Sequence, residues 1–130
     1  MSIDRFQRHN GGVSAVEFAL LSPIFFLLLF AVVDAGQWVW AQMSLEHAVE
    51  TAARCASLRA SNCVATSDIQ SYAVSQAPGL GFSPTVFSYA TPACGAQVTA
   101  SYNYYFMSAA FPTAFTTLTA AACLPFASPT

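Results

Sequence analysis

Phe18-Ala19-Leu20-Leu21-Ser22-Pro23-Ile24-Phe25-Phe26-Leu27-Leu28-Leu29-Phe30-Ala31-Val32-Val33 runs without a charge until Asp34. With Val13–Val16 in front and Trp38–Ala41 behind, the stretch reaches the ~20 residues that cross a bilayer as a helix. The spacing predicts a single membrane span over about residues 15–37. Arg5 and Arg8 precede it closely, whereas Arg54 and Arg59 lie well beyond Val33. That asymmetry predicts a cytoplasmic N-terminus in the inner membrane and an extracytoplasmic remainder. Trp38 and Trp40 fall where an outer aromatic belt belongs. Pro23 removes one backbone donor and is expected to bend the span, which membrane helices tolerate. A cleaved secretory signal peptide competes with this reading, because Val33-Asp34-Ala35 is a passable small-x-small cleavage site. Against it, the apolar run is long for such a signal, and the helical pattern continues through the site.

Outward from the span the composition is lopsided. The chain is 55% hydrophobic and 8% charged, with a net charge of −2, against about 25% charged residues in an ordinary soluble domain. Four Arg and no Lys offer no basic surface, which excludes nucleic acid as a partner. Asp68 is the last charge, so Ile69 to Thr130 is uncharged. Two explanations stay open: a β domain solubilised by Ser, Thr, Asn and Gln, or a surface covered by neighbouring subunits.

The helical pattern persists beyond the span. Trp38, Leu45 and Ala52 recur every seven residues, with Ala41, Ala48 and Cys55 beside them, a stripe of period near 3.5. Its small residues would admit a second helix, either of a partner or of a neighbour in a filament. They would equally admit the chain's own C-terminal part. A helix from about Val13 to Leu58 would reach ~70 Å, too long for one small globule. Ser67 and Asp68 offer an N-cap for a short helix over 69–76, stopped by Pro78-Gly79. Segments 85–90, 97–106 and roughly 115–122 are rich in Val, Thr, Tyr and Phe and bounded by Pro, Gly and Asn, so they are expected to be antiparallel strands. The expected fold class is α+β: a long N-terminal helix, then a small antiparallel β domain with a short helix. The divisions are 1–12 (leader), 13–60 (long helix) and 61–130 (extracytoplasmic domain).

Cys55, Cys63, Cys94 and Cys123 all fall on the expected outer side. An even count in an oxidising compartment points to disulfides, with three possible pairings. The favoured pairing is Cys55–Cys63, closing the loop after the long helix, and Cys94–Cys123, tying the β region together. His9 and His47 are isolated and no Cys-x-x-Cys pair exists, so no metal is expected. No cofactor or catalytic motif is present, so no enzyme activity is expected. Asp34, near the outer interface, is expected to be solvated at the end of the span, the alternative being a polar contact with a neighbouring helix.

Glu17 stands four residues inside the apolar stretch, where a carboxylate costs at least ~2.5 kcal/mol on insertion scales. It needs a partner. Its setting is Gly11-Gly12-Val13-Ser14-Ala15-Val16-Glu17-Phe18, directly after a polar, basic leader. This arrangement resembles the processing site of type IV prepilins. That resemblance implies cleavage by a prepilin peptidase between Gly12 and Val13, which leaves Glu17 fifth in the mature chain. The new α-amino group of one subunit could then neutralise Glu17 of another. Val13 to Leu21, followed by Pro23 and the Phe/Leu run, is similar to TadE-like minor pilins, or pseudopilins, of tight-adherence pili. Phe18 after the glutamate departs from the tyrosine usual in major pilins of that system. The resemblance implies a role in assembly, priming or tip formation, with other pilins as partners and residence in the inner membrane before assembly. The alternative is a secreted or anchored disulfide-bonded binding domain of another envelope complex.

Overall fold

The computed structural model describes residues 7–107 and 116–127, and the side chains of 12 and of 14 onward within them. The first half of the expected leader and the start of the last expected strand lie outside the described residues. Helix α1 runs over Gln7–Ser57 with Pro23 inside it. Its 51 residues extend about 77 Å at 1.5 Å per residue. Helix α2 follows at Thr66–Ser75. A 3-10 turn at Pro84–Val86 leads into β1 (Phe87–Ala90), β2 (Ala96–Asn103) and β3 (Thr117–Leu124). The strands form one antiparallel sheet in the order β1-β2-β3. The architecture is α+β, a long apolar helix leading into a small sheet.

α1 leads two lives. From Ser14 to Val33 its large side chains are exposed all round. From Asp34 onward one face is buried: Ala41, Leu45, Ala48, Val49, Ala52, Ala53 and Ala56 pack on β2, β3 and α2. The sheet's inner face supplies Phe87, Ala96, Val98, Ala100 and Leu118, and α2 supplies Ile69 and Ala73. In β2 the alternation of Ala96, Val98 and Ala100 inward against Gln97 and Thr99 outward is the period of a half-buried strand. Alanines on both helix and sheet let the two backbones approach closely. The seven-residue stripe therefore faces the chain's own domain over 41–56, and that face is not free for another helix.

Several boundaries differ from those read in the sequence. Residues 84–86 are a 3-10 turn because Pro84 fixes φ and lacks a donor for the ladder, so β1 starts at Phe87. β2 begins one residue earlier and ends at Asn103, where the ladder with Thr117 stops. β3 extends to Leu124 because that residue pairs with Ala96. Neither Ser67 nor Asp68 caps α2, which begins at Thr66. Ala65 is the capping position, and Asp68, in the first turn, reaches back to accept the Ala65 N–H at 3.2 Å.

The sheet lies along α1, and each end is fastened. At the end far from the exposed segment, Cys55 is bonded to Cys63 and Cys94 to Cys123. There the Ala127 N–H donates to the Ser57 carbonyl at 3.3 Å, and Arg59 lies over the Phe126 ring at 5.4 Å. Midway, Gln42 Nε2 donates to the Thr119 carbonyl at 3.1 Å and to Glu46 Oε1 at 2.7 Å.

Candidate functional site

The residues singled out for processing and pairing sit at the start of α1, away from the folded domain. Gly12 is exposed, and a Cβ placed on it would meet nothing within 4 Å. Val13 lies in the helix directly after it. Glu17 is exposed, and Phe18 is 73% exposed. Val13 and Glu17 lie four residues apart in the helix, about 6 Å along its axis. The structure groups the exposed Gly12, Glu17 and Phe18 on this short stretch and brings none of the cysteines near them. Both cystines are at the far end of the domain.

Between these regions lies a junction that sequence reading missed. Asp34, expected to be solvated, is only 2% exposed. The domain reaches down α1 to this residue and covers it. Tyr104, just past β2, donates its hydroxyl to Gln37 Oε1 at 3.3 Å, and its ring meets Phe106 edge-on at 5.1 Å. Burial raises the Tyr104 hydroxyl above its ordinary pKa, and the nearby charge of Asp34 and then Tyr102 push it in the same direction. Asp34, Gln37 and Tyr104 thus form a polar closure at the lower rim of the domain. Local sequence gave a weak signal for it, a carboxylate at the end of an apolar run. Nothing local linked that carboxylate to a tyrosine seventy residues on.

All-round exposure of α1 stops at Val33, since Asp34 is buried. The exposed stretch Ser14–Val33 measures about 30 Å, the thickness of a bilayer's hydrocarbon core. By length and composition this helix can cross a membrane. Among the described residues no cluster of His, Cys, Asp or Glu could hold a metal ion. The grooves between α1 and β3 (Glu46, Glu50, Thr119) and beside α2 (Asn62, Asp68, Tyr72) are open surface depressions.

Residues 12–54 match the family model described as TadE-like protein. Over these residues the helix is similar to that family. The match starts at Gly12 and ends at Arg54, so it covers about a third of the chain, all of it within α1. It spans the exposed segment and the part that packs on the sheet, and includes none of the strands. No curated protein sequence and no solved structure matches the chain. The similarity is confined to the helix, whose exposed part is compatible with a single-pass membrane anchor.

Proposed function

We propose that the protein is a minor pilin, or pseudopilin, cut by a prepilin peptidase between Gly12 and Val13 and used in assembly, priming or tip formation of a tight-adherence pilus. The observation that carries this reading is one TadE-like helix divided into an exposed apolar segment holding Glu17 and a second half committed to its own domain. Only the first half is exposed on all sides to neighbouring subunits or lipid. Gly11 and Gly12 each disfavour helix by about 1 kcal/mol relative to Ala, so the chain opens most easily where the peptidase must bind. After cleavage, the Val13 α-amino group of one subunit would meet Glu17 of another in apolar surroundings, each offsetting the other's desolvation.

In this reading the domain lies outside the cytoplasm, which the two disulfides support, with residues 1–12 as cytoplasmic leader, 13–60 as the long helix and 61–130 as the outer domain. Partners are the peptidase and other pilins of the same system. Cleavage after Ala35 by a signal peptidase fits less well. It would cut inside an unbroken helix and detach Asp34 from the domain that buries it.

N-terminal sequencing of protein extracted from membranes tests the proposal. The expected first residue is Val13; a chain starting at Gly36 or retaining Met1 would refute it. Gly12 replaced by a bulky residue is expected to block cutting and leave the chain in the inner membrane, because a side chain intrudes where the backbone must approach closely.

A further inference from the structure

The lower rim of the domain carries more apolar surface than its fold requires. Tyr105 and Met107 are 82% and 81% exposed, more than any other large apolar side chain among the described residues, those of the bare helix included. Their neighbours locate them. Tyr104 is held to Gln37, and Phe106 packs on Tyr104, so this segment lies level with residues 34–37 of α1. That is where α1 stops being exposed all round, although Val39, Trp40 and Met43 stay exposed on the face turned away from the domain. The exposed stretch is as long as a hydrocarbon core is thick, so a bilayer filled by Ser14–Val33 would bring its outer surface to this rim. No charge follows Asp68 in the chain, so none in this part opposes entry into the headgroup layer. Tyrosine is suited to that layer, with an apolar ring and a hydroxyl that stays hydrated.

We infer that Tyr105 and Met107 dock into the outer headgroup region of the same bilayer that α1 crosses, a second membrane contact that sets the domain's tilt. The patch is continuous with the lipid-facing helix, which makes lipid its occupant. This inference rests on the membrane-anchor reading of α1. Before assembly, it would hold the domain against the membrane; withdrawal of the subunit into a filament would uncover the patch.

Site-directed spin labelling of the full chain, reconstituted in phosphatidylethanolamine/phosphatidylglycerol vesicles, tests the inference. The four native cysteines are bonded in pairs, so a single added thiol takes the label. Met107→Cys and Tyr105→Cys report on the patch. Leu28→Cys reports on the exposed stretch, and Val64→Cys on the far end, beside the Cys55–Cys63 bond and about 30 Å from the level of Asp34. Labels at 28, 105 and 107 are expected to relax more with lipid-soluble oxygen than with a water-soluble nickel chelate, and the order is expected to reverse at 64. A lipid response at 28 with a response at 105 and 107 like that at 64 overturns the docking alone. A water response at 28 overturns the membrane anchor as well.

Discussion

Gly95→Ala should be the most damaging single-methyl addition in the domain. Gly95 links Cys94 to the start of β2 with φ +123°, where an L side chain is strained. A Cβ there would lie 2.2 Å from the Leu124 carbonyl oxygen, 2.7 Å from Pro125 Cα and 2.9 Å from the Leu124 carbonyl carbon. All three are backbone atoms of the strand end that pairs with Ala96, and no rotamer change can move them aside. The dihedral costs about 1–3 kcal/mol, and forcing the strand outward costs about 1–3 kcal/mol more. The sum, roughly 2–6 kcal/mol, is a large part of the 5–15 kcal/mol a domain has in total. Gly81 is the control, with φ +60° and nothing within 4 Å of its added Cβ, so Gly81→Ala should lose only about 1–2 kcal/mol. Urea unfolding of the full chain in detergent, followed by near-UV circular dichroism, gives both values. If Gly95→Ala loses no more than Gly81→Ala, the close approach of β3 to Gly95 is wrong.

Three further outcomes are expected. The chain-entropy model gives roughly 3.5 kcal/mol for Cys94–Cys123, separated by 29 residues, and roughly 2.5 kcal/mol for Cys55–Cys63, separated by 8. Protease sensitivity should therefore rise more in Cys94→Ser/Cys123→Ser than in Cys55→Ser/Cys63→Ser; the reverse order would count against the model. Glu17→Ala should insert into membranes at least as well as wild type but associate less with other pilins in cross-linking, and equal association would remove the pairing role. The Tyr104 hydroxyl keeps its proton to higher pH when folded than when unfolded, so its contribution is complete below about pH 10 and is lost as pH rises through the raised folded value. Denaturation midpoints between about pH 9 and 12 should thus fall more steeply for wild type than for Tyr104→Phe. Parallel curves would contradict it.

Much of the fold was legible before any coordinates. A long apolar run with seven-residue recurrence behind it reads as a helix, and Val/Thr/Tyr-rich segments between Pro and Gly read as strands, because both signals are local. Errors came where a distant partner decided the outcome. β3 runs on to Leu124 because Ala96 stands opposite, and Asp34 is buried with Tyr104, seventy residues on, near enough to feel its charge. Asp68 shapes the start of α2 from the first turn instead of from the cap because the chain enters the helix at Ala65. Helix starts shift by a residue or two whenever several polar side chains compete for the same free N–H groups.

By itself the sequence determined a chain with one apolar helix, a carboxylate five residues after Gly12, an uncharged C-terminal half and an even number of cysteines. Tertiary structure alone decided what the helical stripe packs against and where the domain begins along α1, and it fixed the favoured cysteine pairing among three possible ones. A seven-residue period shows that a face will be buried and is silent on its partner, since a sheet of alanines and valines covers such a stripe as well as another helix does. Cysteine count leaves three pairings, and choosing among them requires the register that sets Gln97 opposite Cys123 and the turn that returns Cys63 to Cys55. Periodicity is written along one dimension; partners are chosen by contacts between residues far apart in the chain.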